Sequence, residues 1–511
     1  MKRTIIAIIG TGALAFGAGG CSKDTGHDSA EGKAGMSAKS AAEFGPQKTA
    51  KAIEPQEITI TSKSPEAIEL FREGRDLQEN YRTALAKKKL SRAVELDPEF
   101  ALAHAYLAMT KGDGARAGAM EEAVKLAKEV PLAERLVIKG FHQQFSGERA
   151  AAAETHKKLT EQAPGDWRAR YWLALDQQSA GEGAAAAESF ERAIALNPKA
   201  AAPYNNLAYL YASEGKYEKA IATVENYVAL KPGEPNPLDS KAEILMMAGK
   251  LEKAERSFEK AAAMSSDFYM ANTGLAAARM HRGDWAGGIE ALNAFVAAAQ
   301  SPWEVQKGRT ELAWAKLGAD DLEGALAMAE AVEQAGKDAG NEAASANAKY
   351  LAAQLYLEAG KYKKAYKLAD KALADESKPA WLDAWATHVK FRAAIGLDKM
   401  DEAQVALTAI DAAAAEAKGT KKGDSVANLA AYAHGTMALK NGEPAKAAEH
   451  LSAIEGDGPM EYRGRWLHAK ALAKAGEKAK AEALRKELAS TYTRRTIDAY
   501  YRARFLGSGQ I

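Results

Sequence analysis

Residues 167–200 read WRARYWLALDQQSAGEGAAAAESFERAIALNPKA, and residues 201–234 read AAPYNNLAYLYASEGKYEKAIATVENYVALKPGE. Aligned on their glycines, the two stretches share a pattern that extends in both directions. Gly147, Gly181, Gly215, Gly249 and Gly283 are each 34 residues apart. Gly140, Ala174, Ala208, Ala242 and Ala276 keep the same period, as do Ala152, Ala186, Ala220, Ala254 and Gly288. With glycine at about 7% of residues, four further glycines would meet a fixed period by chance on the order of once in ten thousand. A period in this range marks a stacked repeat.

Each column has a physical reason. Glycine adopts the left-handed conformation that ends a helix without a Cβ penalty. Small residues let two antiparallel helices approach closely where they cross, with larger apolar groups filling the groove beside them. Pro98, Pro164, Pro198 and Pro232 follow the second apolar segment of their units, where a missing N–H and a fixed φ stop a helix. Each unit therefore reads as helix, turn, helix, stop. Ser64-Pro65-Glu66 supplies an N-cap and a proline at the first helical position of the earliest unit, which runs through Phe71 to Phe100 with Ala93, Leu96 and Pro98 at its end.

In the unit 201–234, Tyr204, Leu207, Ala208, Tyr211, Gly215, Tyr217, Ala220 and Pro232 stand in the signature positions of the tetratricopeptide repeat (TPR), with Tyr227 where that family places Ala. Leu173, Ala174, Gly181, Ala186, Phe190, Ala193 and Pro198 take the same offsets one unit earlier. The chain resembles the TPR family across most of residues 67 to 495. The resemblance implies an all-α, right-handed superhelical solenoid of about twelve helix-turn-helix units. Later turn glycines, Gly318, Gly360, Gly396, Gly442 and Gly476, follow at steps of 35, 42, 36, 46 and 34. The wider steps predict insertions in longer loops near Gly336 to Asn341 and Ala417 to Asp424. Glu57 to Thr61 alternates briefly and is read as an extended lead-in, not a sheet.

The N-terminus is of another kind. Met1-Lys2-Arg3 precedes an uncharged run to Gly20 and then Cys21, the sole cysteine, which is the layout of a secretory signal. The apolar part, Ile5 to Phe16, is too short to span a bilayer. A single cysteine excludes an intrachain disulfide and a multi-cysteine metal site. Ala18-Gly19-Gly20-Cys21 resembles the lipobox of bacterial lipoproteins, with Ala18 where that family prefers Leu. This implies that Cys21 is the lipidated first residue of the mature chain; the alternative is ordinary cleavage after Ala13-Leu14-Ala15, leaving a free thiol. Ser22, in place of Asp, is what such lipoproteins carry when exported to the outer membrane. Ser22 to about Glu57 lacks the large apolar groups of a core. As a flexible chain it would span about 33 Å. The expected organisation is a signal peptide at 1–20, the lipidated cysteine and linker at 21–63, the regular repeats at 64–340, and a degenerate array with a capping helix at 341–511.

What the repeats offer a ligand follows from the resemblance. TPR units stack into an array whose concave face is lined by the first helices. Carried over position by position, that face holds Glu134, Val137, Phe141, Gln144 and Phe145; Arg168, Tyr171, Leu175, Gln178 and Ser179; and Ala202, Asn205, Tyr209, Ala212 and Ser213. Two further units add Asn236, Asp239, Glu243, Met246 and Met247, then Met270, Thr273, Ala277, Met280 and His281. Aromatic and methionine side chains suit an extended or helical peptide, the alternative being that these residues pack within and between repeats. The Lys/Asn/Arg clamp of chaperone-binding TPRs is missing, since the matching positions are Tyr171 and Leu175, followed by Asn206 alone.

Of the 511 residues, 47% are apolar and 27% charged, which suffices for a core. Lys+Arg at 69 against Asp+Glu at 68 leaves a charge of +1, so no global field selects nucleic acid. Metalloprotease, P-loop and α/β-hydrolase motifs are absent, and no catalytic set, metal site or cofactor can be named. His388, His434 and His468 fall near the seventh position of their units and read as packing histidines. Trp381 and Trp385 are four apart and are expected to share one helix face. The basic aromatic stretch with Arg494, Arg495, Tyr500, Tyr501, Arg502, Arg504 and Phe505 is read as a capping helix, Arg outward and Tyr inward, or as a contact for an anionic partner. The expected function is a lipid-anchored scaffold on the periplasmic face of the outer membrane, binding envelope proteins in assembly or export of outer-membrane or polysaccharide components. The alternative is a glycan or small-molecule binder using the aromatic groove.

Overall fold

The computed structural model describes residues 57–80, 82–111, 113–420, 423–456 and 458–507. Cys21, the signal segment and most of the linker lie outside them. Among the described residues every regular element is helical. The first hairpins pair α1 (Pro65–Glu79) with α2 (Thr83–Leu96), α3 (Ala101–Met109) with α4 (Asp113–Leu126), and α5 (Leu132–Phe145) with α6 (Arg149–Gln162). Next come α7 (Trp167–Ser179) with α8 (Gly183–Leu196), α9 (Ala201–Ser213) with α10 (Tyr217–Leu230), and α11 (Pro235–Met247) with α12 (Leu251–Met264). They continue as α13 (Ala271–His281) with α14 (Trp285–Ala298), α15 (Pro302–Gly318) with α16 (Leu322–Asp338), and α17 (Ala344–Glu358) with α18 (Tyr362–Leu373). The last are α19 (Leu382–Gly396) with α20 (Met400–Ala417), α21 (Gly423–Lys440) with α22 (Pro444–Ser452), and α23 (Pro459–Lys474) with α24 (Lys478–Ala489), followed by the single α25 (Thr496–Gly507). This is an all-α repeat solenoid of twelve hairpins. Contacts group the chain into two compact units, one ending at Pro232 and one beginning at Gly233. The boundary expected at 340 falls inside the second unit, where α16 packs on α17.

The turns follow the local chemistry. Gly147, Gly181, Gly215, Gly249 and Gly283 all have φ between 71° and 92°. Across the first three, an amide five residues on returns to the helix: Glu148 N to Gln143 O at 2.8 Å, Glu182 N to Gln177 O at 2.8 Å and Lys216 N to Tyr211 O at 2.8 Å, the Schellman closure. Two glycines placed at turns from the sequence are not there. Gly318 and Gly396 are the last residues of α15 and α19, and a Cβ on them would meet the Trp285 and Tyr362 rings at 2.3 and 2.6 Å. The left-handed residues of these turns are Asp320 and Asp398, at φ 61° and 60°, a conformation a short polar side chain tolerates.

The wider sequence steps are also accommodated differently from expectation. Extra residues lengthen helices, α15 and α16 to 17 residues and α20 and α21 to 18. The loops stay short because a longer helix satisfies its own backbone groups, whereas a long loop needs other partners.

Ridge-into-groove packing explains the small columns. At one position of the second helices the side chains are His156, Phe190, Val224, Phe258 and Leu292, all fully buried. Opposite His156 stands Gly140, where the other units carry alanine; a Cβ there would lie 2.1 Å from His156 Nε2. The imidazole passes close over the Gly140 backbone, and the absence of a methyl across the interface is what makes room for it there.

The lead-in is extended and lies across the first unit. Ser64 caps α1, its Oγ accepting the Ala67 amide. Upstream, the Ile58 N–H donates to Asp166 Oδ2 at 3.2 Å, Thr61 N–H to Glu134 Oε2 at 3.2 Å and Lys63 N–H to Asp97 Oδ2 at 2.8 Å. Burial pushes the Glu134 carboxyl up to about 7, against the opposing effect of the Thr61 hydrogen bonds. The folded state therefore holds this proton more tightly than the unfolded chain, so the contribution of Glu134 to stability is fully present below about pH 4.5 and is lost as pH rises through 7. Glu134→Gln is expected to raise the unfolding free energy measured in urea at pH 8.5 by up to about 3 kcal/mol, and to change it little at pH 5. Equal effects at both pH values would refute the assignment.

Candidate functional site

In the first unit the predicted lining residues divide between the interior and the inner surface. Phe141 is 1% exposed, with Tyr106 and Trp172 edge-on at 5.5 and 5.1 Å. Val137, Leu175, Gln178, Asn205, Ala202 and Ala212 are buried as well. Gln144 is half-buried and donates to Asp176 Oδ1 at 2.7 Å, while Asp176 Oδ2 lies 2.6 Å from His156 Nδ1. Phe145 lies under the Arg116 guanidinium. Arg168 donates from Nε and Nη2 to the Glu79 carboxylate at 2.6 and 3.1 Å and covers the Trp167 ring, tying α7 to the end of α1. Tyr171 and Tyr209 remain half-buried; the Tyr171 hydroxyl accepts from Asn206 Nδ2 at 3.1 Å. Asn206, the one clamp-like residue, is thus used within the stack.

In the second unit the corresponding face is occupied by the chain's own C-terminal segment. Residues 491–495, without regular structure and bent at Arg494, pass over α11 and α13, and α25 then lies against α13, α15 and α23. Arg494 Nη1 donates to Asp239 Oδ2 at 2.9 Å and to Glu243 Oε2 at 3.5 Å. Its Nη2 reaches Asp239 Oδ1 and the Met270 carbonyl, both at 3.3 Å, and Thr273 Oγ1 at 3.5 Å. His281 Nε2 is 2.9 Å from the Thr493 carbonyl oxygen, and the Tyr492 ring is edge-on to the imidazole at 5.3 Å. Met246 and Met280 are buried within the helix packing and Met247 is half-buried. Beyond this stretch, Tyr500 and Tyr501 join Trp314, Tyr462 and Trp466 in one apolar cluster, and Phe505 stacks on Trp466 at 5.4 Å. A cleft of about 520 Å³ beside α25 is lined by Trp285, Leu317, Glu358, Tyr500 and Arg504.

Two expectations need correction here. The C-terminal stretch does not cap the stack with its arginines outward: Arg494, Arg502 and Arg504 point into the unit, to carboxylates and to the His281 and Glu358 carbonyls. Nothing in the local pattern separates the two arrangements, since both bury the tyrosines. Trp381 and Trp385 do not share a contact face either. Trp381 precedes α19, 38% exposed and edge-on to Tyr350, whereas Trp385 packs into the cluster around Phe391 and Tyr432.

The electrostatics of the tail contact pull in two directions. Burial holds the His281 imidazole down to about 4, aided by the neighbouring Arg502, so acidification from pH 6.5 towards 4 works against the contact. Burial pushes the Asp498 and Glu311 carboxyls up, which has the opposite sign. Among the described residues no group of three or more His, Cys, Asp or Glu side chains could hold a metal ion, and no helix is long and apolar enough to cross a membrane.

The pattern read from the columns has an independent counterpart: the profile of the tetratricopeptide repeat family matches residues 173–235, 240–302 and 432–492. The chain is a tetratricopeptide repeat protein. Among solved structures, it is similar to a tetratricopeptide repeat protein from Parabacteroides merdae at 19% identity, covering 51% of this chain and 98% of that one, with a TM-score of 0.37. A thermophilic TPR protein from Thermus thermophilus matches at 20% identity over 42% and 98%, TM-score 0.28. PilF of Pseudomonas aeruginosa matches at 16% over 40% and 91%, TM-score 0.33. No curated protein sequence matches significantly. TPR proteins are in general non-catalytic scaffolds for protein–protein interaction, and the inner faces of the first helices are the candidate site of this one.

Proposed function

We propose that this TPR protein is a scaffold of the bacterial cell envelope that holds extended or helical segments of partner proteins on the inner faces of its first helices. The observation that carries the reading is the second unit itself, whose inner face already accommodates an irregular stretch and a helix contributed by the same chain. A face of this kind supplies fixed carboxylates, methionines and aromatic rings, and a peptide contributes the complementary charges and anchors. In the first unit Tyr171 and Tyr209, half-buried on neighbouring first helices, are the proposed anchors. Tethering through Cys21, on the periplasmic side of the outer membrane, and a role in assembly or export of envelope components are supported by the signal-like N-terminus and its lipobox resemblance.

The test is in-cell crosslinking of the full chain, tagged at its C-terminus, followed by mass spectrometry, in parent, Cys21→Ala and Tyr171→Ala/Tyr209→Ala strains. Expected are specific envelope partners that are lost in the cysteine variant and reduced about tenfold in the double tyrosine variant, the scale of two interface anchors at 1 kcal/mol or a little less each. Partners unchanged in the tyrosine variant would refute the groove, and partners unchanged in the cysteine variant would refute the tether.

A further inference from the structure

Asp239 and Glu243 are four residues apart on α11 and face the same side, 7% and 8% exposed. Two carboxylates held this close and this far from water require a cation. The surrounding groups define which one. Asp239 accepts both Nη groups of Arg494 in a fork, the Met270 carbonyl and the Thr273 hydroxyl lie at the Nη2 side, and the guanidinium sits 5.2 Å from the centre of the Phe258 ring. A planar, multiply donating cation over an aromatic face matches this arrangement; an ammonium matches one contact at a time. Anionic ligands such as lipid phosphates are repelled.

We infer that the face formed by α11 and α13 is an arginine-recognition site for an extended segment of a partner protein, and that residues 491–495 occupy it as an intramolecular competitor. The inference rests on the peptide-scaffold reading above and names the chemistry of the partner. Its second support is the way the tail is divided. Residues 491–495 have no secondary structure and are held through polar contacts and the Tyr492 ring, while α25 is anchored separately by Tyr500, Tyr501 and Phe505 against Trp314 and Trp466. The stretch can therefore lift from Asp239 with α24 and α25 still seated at its ends. Covalent linkage gives the tail an effective concentration in the millimolar range, so a partner arginine has to bind well, or be held nearby by other contacts, to replace it.

The experiment uses the full chain and a fluorescent peptide copying residues 489–497, ASTYTRRTI, as the probe. Fluorescence anisotropy is expected to show the Arg494→Ala chain binding the probe about tenfold or more tighter than the parent, because the internal competitor is removed. Adding Asp239→Asn, or replacing the probe's first arginine by alanine, is expected to abolish the gain. Equal binding by parent and Arg494→Ala chains, with tryptophan fluorescence showing the aromatic cluster intact, overturns the inference. Should Arg494→Ala lose helicity, Arg494→Lys, which retains the charge without the fork, carries the same comparison. If the probe result fails while partner capture still depends on Tyr171 and Tyr209, only the arginine site is wrong; if both fail, the scaffold reading falls with it.

Discussion

Glu358→Ala is expected to destabilise the second unit by about 3–5 kcal/mol, the cost of leaving buried cations without their counter-ion. Glu358 ends α17 and is 3% exposed. Its Oε1 accepts from Arg392 Nη2 at 2.7 Å and from the Tyr501 hydroxyl at 3.4 Å, and Arg463 Nη1 lies 3.3 Å away. The two guanidiniums come from α19 and α23 and are themselves largely enclosed, at 12% and 14% side-chain exposure. Removing the carboxylate strands both where water does not replace it. Glu358→Gln, which keeps an acceptor but not the charge, is expected to lose a smaller share. Because a stacked array need not unfold as one body, amide hydrogen exchange in α17, α19, α23 and α25 is the suitable readout. A change below about 1 kcal/mol would show that solvent reaches the arginines.

The second large effect concerns the polar pair inside the first unit. Asp176→Leu alone is expected to cost about 3 kcal/mol or more, since it leaves His156, fully buried, without its Nδ1 partner. The double change His156→Phe with Asp176→Leu reproduces the residues that the following interface carries at the same repeat positions, Phe190 and Leu210, both of them buried. It is expected to return stability to within about 1 kcal/mol of the parent, because an apolar pair that the next interface packs at the same positions replaces the ionisable one, with room for the larger ring beside Gly140. Gln144, half-buried, can exchange its lost acceptor for water. The double-mutant cycle thus yields a coupling of 2 kcal/mol or more. Independent, additive losses would mean that the pair is not the unit of interaction.

Much of this was legible in the residues. The 34-residue columns, the Pro stops and the Ser64 cap specify hairpins through contacts within a few turns of helix, where composition and conformation are directly coupled. The failures were of the same local kind but depended on alternatives of nearly equal energy. Asp320 and Asp398 take the left-handed turn positions while Gly318 and Gly396 face aromatic rings, and inserted residues extend α16 and α20 instead of their loops.

The position-by-position transfer of a concave face was less informative about individual side chains. Phe141, Gln178, Asn205, Met246 and Met280 lie at transferred positions and are buried in the packing, whereas Tyr171 and Tyr209 are half-buried. Repeat position fixes direction from the helix axis; exposure depends on how closely the adjoining helices approach, which varies from unit to unit with side-chain size.

By itself, then, the sequence determined the twelve hairpins, their order of stacking and the turn at most of their joints, because each is decided between residues near one another in the chain. Only the tertiary structure decided that the C-terminal segment turns inward and sets Arg494 on Asp239, 255 residues away in sequence, and Tyr501 on Glu358, 143 away. A basic aromatic helix buries its tyrosines equally well as an outer cap. What selects the inner position is the pairing of its arginines with buried carboxylates and carbonyls, and those partners come together only when the separate hairpins have stacked and curled within the unit.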